Sequence, residues 1–314
     1  MTIKLGVVMD PIATINPKKD STLAMLAEAE ARGWELFYME QADLYLQDGE
    51  AYAHMLPLKV NKSLQDWFSL GEGTTEKLSG LDVVLMRKDP PFNTEYIYST
   101  YILEQAEAAG TLIVNRPQAL RDANEKFFSA WFPECTTATL VTSDAKRLKQ
   151  FLTQHQDIIL KPLEGMGGVS IFRVKQDDPN INVIIETMTN NGQQLTMAQR
   201  YLPEIVHGDN RILVIDGKPV PYVLSRMLAK GETRANLAAG GYGVGRPINE
   251  REKWLCQQIA PTLQKKGLFF VGIDVIGDYV TEINVTSPTC IRELDEQFSL
   301  NISALLMDAI ESRL

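Results

Sequence analysis

The sequence predicts an α/β protein in which an N-terminal domain with an open, largely parallel sheet precedes a longer region of paired strands and helices. Two observations support this prediction. From residue 1 to about residue 122, apolar runs typical of buried strands alternate with amphipathic helical patterns, as in proteins with parallel sheets. Beyond that point, apolar runs follow one another in pairs across short turns that contain glycine.

Composition narrows the class of function. The chain has 314 residues, enough for two domains, and its 45% hydrophobic and 23% charged residues are ordinary for a soluble globular protein. Its net charge of -9 argues against a nucleic-acid or membrane-surface partner, because anionic partners require a basic surface. Any anion-binding site must therefore be local.

The cysteines and the apolar runs bear on the compartment. Cys135, Cys256 and Cys290 lack the spacing of metal ligands, and their odd number argues against a disulfide framework. No apolar stretch approaches the roughly 20 residues of a membrane-spanning helix, and the N-terminal apolar run is too short for a signal segment. These observations predict a cytoplasmic protein.

The first domain takes its strands from four apolar runs and its helices from two amphipathic segments. Strands are predicted at 3–9, 34–39, 82–87 and 112–114, and helices at 19–32 and 94–109. Ligands of such sheets bind beyond the carboxyl ends of the strands, which makes Arg87 and Asp89 candidates for a functional rim. The alternative is that both are loop charges without a special partner. No G-x-G-x-x-G follows the first strand, which argues against a dinucleotide cofactor.

A glycine loop follows in the next segment. Residues 117–132 are predicted to form one helix that places Lys126 among aromatic side chains, and a strand at 157–163 contains Lys161. The loop after it contains Gly165, Gly167 and Gly168 and joins two strands. Backbone N–H groups of such a loop can wrap phosphate oxygens while a flanking lysine neutralises them, so the loop is a candidate nucleotide flap. A plain hairpin turn is the alternative.

Further strands and helices surround a second glycine-rich segment. Strands are predicted at 195–201 and on both sides of a turn at Gly217, and helices at 181–189, 254–266 and 299–314. Residues 230–246 are too glycine-rich to pack and are interpreted as a mobile lid, in which Arg234 is the residue expected to contact substrate.

An acidic hairpin at 269–288 completes the candidate site. A three-residue connection at 277–279 pairs Ile273 with Ile283 and places Asp274 opposite Glu282, with Asn284 two residues along on the same face. Two adjacent carboxylates repel each other unless a cation lies between them, and hard oxygen ligands without His or Cys suit Mg²⁺ or Mn²⁺. The hairpin therefore predicts the metal half of a nucleotide site. The alternative is a hairpin whose polar face is only solvated.

These features in this order resemble the ATP-grasp superfamily, and the resemblance extends to bacterial glutathione synthetases over nearly the whole chain. The motifs that carry it are MDPI at 9–12, MRKDPPF at 86–92, KPLEGMGG at 161–168, GETRANLAAGG at 231–241 and TEINVTSPTCIRE at 281–293. The resemblance implies a pre-ATP-grasp domain at 1–122 and a two-lobed α+β ATP-grasp domain at 123–314, with a small nucleotide-flap lobe at about 123–200 and a large metal-binding lobe at about 201–314.

The resemblance also implies an activity and the residues that perform it. The activity is an ATP-dependent ligation of γ-glutamylcysteine to glycine through an acyl phosphate, in a homotetramer that uses Mg²⁺ or Mn²⁺. The implied catalytic residues are Arg211, Arg226 and Arg234, and the implied metal ligands are Asp274, Glu282 and Asn284. The implied ATP-binding residues are Lys126, Lys161, Gly165, Gly167, Gly168, Gln199, Tyr201, Leu202, Asp209 and Arg211. The implied substrate-binding residues are Arg87, Asp89, Arg226, Arg234, Ser287 and Thr289.

Two other functions remain open at this point. One is an ATP-grasp ligase with a different carboxylate and amine, such as a D-alanine–D-alanine ligase or a glutamate ligase. The other is a nucleotide-binding regulator without turnover. The presence of both lysines and all three metal-side oxygens argues against the regulator.

Overall fold

The computed structural model describes residues 2–61, 63–165, 167–228 and 242–314. Within those ranges, the chain contains three β-sheets and eight α-helices. None of the described helices is long and apolar enough to cross a membrane.

The N-terminal part is built around an eight-stranded sheet, in which the predicted parallel strands form one side. Its strands are β1 Lys4–Val8, β2 Glu35–Met39, β3 Leu44–Gln47, β4 Glu50–Val60, β5 Phe68–Leu70, β6 Thr74–Lys77, β7 Val83–Met86 and β8 Leu112–Val114. The order β2-β1-β7-β8 is parallel throughout, and the antiparallel strand β4 extends the sheet beyond β2. The helices are α1 Ser21–Ala31, α2 Thr94–Ala108 and α3 Pro117–Asp122.

The rest of the chain forms two antiparallel sheets. The four-stranded sheet has the order β11-β10-β12-β9 and packs with two helices; its elements are β9 Thr139–Thr142, α4 Ala145–His155, β10 Asp157–Pro162, β11 Phe172–Lys175, α5 Ile181–Met188 and β12 Thr196–Arg200. The five-stranded sheet has the order β15-β14-β13-β16-β17; its strands are β13 Asp209–Ile215, β14 Lys218–Met227, β15 Tyr242–Pro247, β16 Phe270–Ile276 and β17 Tyr279–Asn284. The helices α6 Glu250–Lys266, α7 Ile291–Phe298 and α8 Ile302–Glu311 complete the chain.

The hydrophobic core is shared between these parts. One buried cluster joins Val8 and Val84 of the N-terminal sheet to Ile212 and Val271 of the five-stranded sheet. A second cluster joins β1 to α8, which also packs against α1. The N-terminal sheet and the five-stranded sheet are therefore held together by buried apolar contacts.

The predicted helix at 117–132 is wrong as a single element. α3 ends at Asp122, and a separate 3₁₀ turn covers Phe127–Trp131. Between them, Asn124 Oδ1 accepts the backbone N–H groups of Lys126 and Phe127 (3.2 and 2.9 Å). An Asn side chain that competes for backbone N–H groups in this way favours a break in the helix.

Two other predicted elements differ from the structure. Residues 242–246 were assigned to the mobile loop, but they belong to β15, which pairs with β14. The single closing helix at 299–314 is preceded by α7, and Ser299 interrupts the helical path with a left-handed φ of 52°. Asn301 then starts α8, because its side chain accepts the N–H of Ala304.

Candidate active site

The acidic hairpin is formed by β16 and β17, and its register at the carboxylates is as predicted. Ile273 lies opposite Ile283, and Asp274 lies opposite Glu282. The predicted three-residue connection is wrong, because Ile276 pairs with Tyr279 and leaves only two residues in the turn. A β-bulge at Thr281 absorbs the difference, so that Val275 pairs with Val280 instead of Thr281.

Asp274 is held by two buried arginines. Arg211 Nη2 donates to Asp274 Oδ2 at 2.9 Å, and Arg226 Nη2 lies 2.8 Å from the same oxygen. Although burial opposes ionisation, the two guanidinium groups lower the pKa of Asp274 to about 2. Asp274 is therefore a buried, fully ionised carboxylate.

Asp209 competes for one of these arginines. Its Oδ2 accepts a hydrogen bond from Arg226 Nη2 at 2.6 Å, while its buried Oδ1 has no partner among the described residues. Burial, opposed by Arg226 and reinforced by the charge of Asp274, raises the pKa of Asp209 to about 6. A buried oxygen without a partner is costly, so Asp209 Oδ1 is available to a ligand donor.

The two predicted phosphate-binding lysines approach the hairpin from different elements. Lys126 Nζ lies 3.4 Å from Glu282 Oε1 and donates to the carbonyl of Gly165 at 2.5 Å. Lys161, on β10, donates from Nζ to the carbonyl of Thr281 at 2.9 Å. Burial lowers the pKa of Lys161 to about 8, although the charge of Glu282 opposes the shift. The bulged residue of the hairpin is thus the contact point for the second lysine.

A cleft of about 910 Å³, a volume that includes space open to solvent, lies between the four-stranded sheet and the acidic hairpin. Apolar side chains form one part of its wall, including Ile159, Ile171 and Ile276. The predicted ATP-binding residues that line it are Lys126, Lys161, Gly167, Gly168, Gln199, Tyr201, Leu202 and Asp209. Gly165 is represented only by its carbonyl contact with Lys126.

A second cavity of about 800 Å³ adjoins the first, because Gly167 and Glu282 line both. Its lining brings together the remaining predicted residues Asp89, Arg211, Arg226, Asp274, Asn284, Ser287 and Thr289. Cys290 also lines it, but burial raises the pKa of its thiol. The combination of arginines and carboxylates suits an anionic substrate with an amino group.

Arg87 and Asp89 differ in their positions. Arg87 is buried behind the second cavity, where it donates to Thr22 Oγ1 at 3.1 Å and to the carbonyl of Pro288 at 2.8 Å. Burial lowers its pKa to about 10. Asp89 lines the cavity itself, and burial together with the charge of Asp10 raises its pKa. The Arg87 side chain is therefore not a loop charge without a partner.

The three predicted metal ligands provide only oxygen donors for an ion, which fits Mg²⁺ or Mn²⁺. Asn284 uses its nitrogen to donate to Asp274 Oδ2 at 3.1 Å, which leaves its amide oxygen available. Glu282 remains partly exposed, with 25% of its side chain accessible between the two cavities. Within the described ranges there is no group of three or more His, Cys, Asp or Glu residues that could hold a metal ion by itself.

Sequence reasoning missed Glu125, which lines the second cavity beside Lys126. Its carboxylate accepts hydrogen bonds from backbone groups 160 residues later in the chain, a contact that has no signal in composition or spacing. Arg234, predicted to contact substrate, and Met166 of the first glycine loop lie outside the described residues.

Comparisons with known proteins agree with this geometry. The family model for the prokaryotic glutathione synthetase N-terminal domain matches residues 3–121, and the model for the ATP-grasp domain of the same proteins matches residues 125–299. The glutathione synthetase of Pseudomonas aeruginosa is 60% identical over 314 residues, covering 100% of this chain and 99% of that protein. The glutathione synthetase of Escherichia coli is 61% identical over 312 residues, covering 99% of each chain.

Solved structures with low sequence identity share the fold. A D-cycloserine synthetase, DcsG, aligns with a TM-score of 0.69 at 15% identity, covering 99% of both chains. A D-alanyl-alanine synthetase A from Vibrio cholerae aligns with a TM-score of 0.60 at 14% identity, covering 99% of this chain and 98% of that one. At these identities the likeness concerns the fold alone.

Proposed function

The chain belongs to the prokaryotic glutathione synthetase family, whose members are ATP-dependent ligases that make glutathione, and from that premise we propose how its residues divide the reaction between two cavities. The first cavity binds ATP, and the second binds γ-glutamylcysteine and glycine. The observation that carries this division is that Glu282 and Gly167 line both cavities. The phosphoryl group would therefore be transferred where the two cavities meet.

In the first cavity, we assign the phosphates to the two lysines and the base to the apolar wall. Lys126 and Lys161 are both 6% exposed, so their charges are screened little by solvent. Gly165, Gly167 and Gly168 provide backbone N–H groups above the phosphates, while Gln199, Tyr201 and Leu202 line the base. The unpartnered Oδ1 of Asp209 suits a hydroxyl donor of the nucleotide.

We assign Mg²⁺ or Mn²⁺ to Asp274, Glu282 and Asn284. Supporting this assignment, the set offers only oxygen donors and borders both cavities. When bound, the ion would neutralise charge on the phosphate chain.

In the second cavity, the reaction proceeds in two steps. The cysteine carboxylate of γ-glutamylcysteine attacks the γ-phosphorus of ATP, which releases ADP and leaves an acyl phosphate. The glycine amine, after losing a proton, attacks the acyl carbon and expels phosphate. Arg211 and Arg226 are buried and positioned to offset the charge on both the acyl phosphate and the tetrahedral intermediate, and positioning with charge neutralisation is most of what phosphoryl transfer requires.

We further propose the wider organisation of the protein. The chain would divide at 1–122 and 123–314, with the two lobes of the second domain meeting near residue 200; the family models, which match 3–121 and 125–299, support the first of these boundaries. Asp89, Ser287 and Thr289 then bind the dipeptide, with Arg87 supporting the loop that carries the latter two. A cytoplasmic location and assembly as a tetramer are inferred from the family, and the odd number of free, buried cysteines fits a reducing compartment.

Release of ADP tests the proposed substrates. The purified protein with ATP and Mg²⁺ is given γ-glutamylcysteine and glycine, D-alanine alone, or a peptide with glutamate. We expect ADP and glutathione only in the first mixture. ADP release with D-alanine or glutamate, and none with γ-glutamylcysteine and glycine, would contradict the proposal.

A further inference from the structure

Glu125 connects the segment that carries Lys126 to the strand that carries the proposed metal ligands. Its Oε1 accepts three hydrogen bonds, from the backbone N–H of Val285 at 2.8 Å, from the backbone N–H of Thr286 at 2.9 Å and from the hydroxyl of Thr286 at 2.9 Å. Its own backbone carbonyl accepts the N–H of Ile283 at 2.9 Å. One residue thus fixes the last part of β17 and the chain just beyond it.

Along β17 and just beyond it, the residues whose backbone bonds to Glu125 alternate with the proposed metal ligands. β17 is the last strand of its sheet: it pairs along its length with β16, and Val280 alone also forms an isolated bridge with Thr136. Successive side chains of a strand point to opposite faces, so backbone contacts at 283 and 285 set the direction of the side chains at 282 and 284. Without the contacts to Glu125, the end of this strand would keep the β16 ladder and the hydrogen bond from Asn115 to the carbonyl of Val285.

The same short segment also sets the position of the first lysine. Asn124 donates from Nδ2 to the carbonyl of Leu163 at 3.1 Å, beside the glycine loop. Lys126 reaches Gly165 and Glu282. The consecutive residues Asn124, Glu125 and Lys126 therefore contact the glycine loop and the strand β17 together. The carboxylate of Glu125 is also close to that of Glu282: burial and the charge of Glu282 raise the pKa of Glu125.

We propose that Glu125 is a positioning residue, which holds Glu282 and Asn284 in metal-binding geometry relative to Lys126 through hydrogen bonds from its Oε1. The inference rests on the proposed metal and nucleotide site. In this role the length of the Glu125 side chain matters and its charge does not. If the carboxylate instead bound a cation directly, its charge would be essential.

Two substitutions of Glu125 distinguish the effect of its side-chain length from the effect of its charge. Glu125→Gln keeps the length of the side chain and an acceptor oxygen, whereas Glu125→Asp keeps the charge and is one methylene shorter. The readout is the metal enhancement, defined as the Kd for ADP in EDTA divided by the Kd for ADP with Mg²⁺, from titration calorimetry. We expect Glu125→Gln to retain the enhancement within about threefold and Glu125→Asp to lose about tenfold, as for one charge-assisted hydrogen bond.

A double-mutant cycle and a control isolate the mechanism. If Glu125 acts through Glu282, Glu125→Asp should reduce the enhancement no further in a Glu282→Gln background. Glu30→Gln is the matched control, because Glu30 accepts the backbone N–H of Val60 in the N-terminal sheet, far from both cavities. It should lower the melting temperature and leave the metal enhancement unchanged.

The outcomes separate this inference from the proposed function. A wild-type protein without metal enhancement would overturn the metal site and the inference with it. A wild-type enhancement that Glu125→Asp retains, or that Glu125→Gln loses to a greater extent, would overturn the role of Glu125 alone. If Glu125→Asp does not fold, Thr286→Val removes one of the three donors and should reduce the enhancement about threefold; a folded Thr286→Val protein with full enhancement would overturn the role.

Discussion

At the scale of single residues, the site concentrates buried positive charge in an acidic protein. Lys126, Lys161, Arg211 and Arg226 are each no more than 6% exposed, in a chain of net charge -9. Burial of a cation is costly unless an anion compensates it. Asp274 compensates the arginines, whereas Lys161 has only a carbonyl within hydrogen-bonding distance among the described residues. Lys161 is therefore the cation with the most to gain from a bound phosphate.

Nucleotide affinity should depend on pH through Lys161. Its pKa of about 8 lies below the unfolded value of 10.5, so between these values the unfolded chain binds more protons and the stability term from Lys161 rises with pH. Phosphate favours the charged form, so binding above pH 8 must take up a proton. We expect ADP affinity to fall by up to about tenfold per pH unit above about pH 8 and to change little between about pH 7 and about pH 7.5.

Titration calorimetry in buffers of different ionisation enthalpy measures this proton uptake directly. Lys161→Arg is the control, because a guanidinium remains charged over the whole range and should remove the uptake. The same uptake in wild type and Lys161→Arg would assign the titration to another group.

Residue identity could be predicted from sequence where side-chain chemistry carries the function. The lysines, the glycines and the three oxygen donors stand out because phosphate and metal binding would demand those residue types. The structure brings most of them to the walls of two adjoining cavities, and their roles stay a prediction. The importance of Glu125 depends on main-chain partners brought near by folding, and its sequence position shows nothing of them. The position of Arg87 also depends on contacts that only folding brings about, because its side chain donates to Thr22 and to the carbonyl of Pro288.

At the scale of elements, the bulge in the acidic hairpin reconciles a short turn with one consistent metal face. A regular hairpin with the two-residue turn would place apolar and polar residues on the same face, since a shift of one residue reverses every side chain. The extra residue at Thr281 restores the alternation before Glu282. It also directs a carbonyl to Lys161. The bulge is therefore part of the site as well as of the fold.

Two neighbouring substitutions test the register. Ile283 is fully buried, and Glu282 borders both cavities. Ile283→Asp should prevent stable folding, because an unpaired charge would enter the core. Glu282→Gln should leave the melting temperature within a few degrees of wild type and lower kcat by at least about a hundredfold, the size typical for loss of an electrostatic group in a transition state. Circular dichroism melts and ADP-release assays distinguish these effects. Soluble, active Ile283→Asp protein would show that the assigned faces are reversed.

The boundaries of helices and strands can be predicted where local sequence signals determine them. They cannot be predicted where contacts with distant parts of the chain determine them. The four parallel strands β1, β2, β7 and β8 and the helices α1 and α2 are predicted to within a few residues, because buried parallel strands are apolar throughout and glycine or an N-cap residue marks the ends of the helices. The antiparallel strands β3–β6 lie in a polar stretch without such a signal. The helix expected at 117–132 is broken by Asn124, whose contacts reach Leu163. β15 contains Gly243 and Gly245 and looks like a loop, but a Cβ at either glycine would meet Leu224 or Phe298 within 3 Å. Close packing there selects glycine within a strand.

At the scale of the whole molecule, the N-terminal sheet and the acidic hairpin are joined by one buried side chain. Asn115 follows β8, donates to the carbonyls of Phe270 and Val285 at 2.8 and 2.6 Å, and accepts the N–H groups of Phe269 and Phe270. Since the apolar core is also continuous between these parts, we expect them to unfold as one cooperative unit. Calorimetry of the wild type should show these two parts unfolding in one shared transition, whereas the four-stranded sheet has a buried cluster of its own.

Asn115→Ala tests that coupling. Each buried peptide group left without a partner costs about 1–3 kcal/mol, so with four such bonds removed we expect a loss of at least about 4 kcal/mol in the free energy of unfolding. Asn93→Ala is the control, because Asn93 caps α2 through one hydrogen bond to Tyr96 and should cost only about 1 kcal/mol. Hydrogen exchange should report the larger loss equally in peptides from β1 and from β13. A loss confined to one of the two peptides would mean that the two parts open independently.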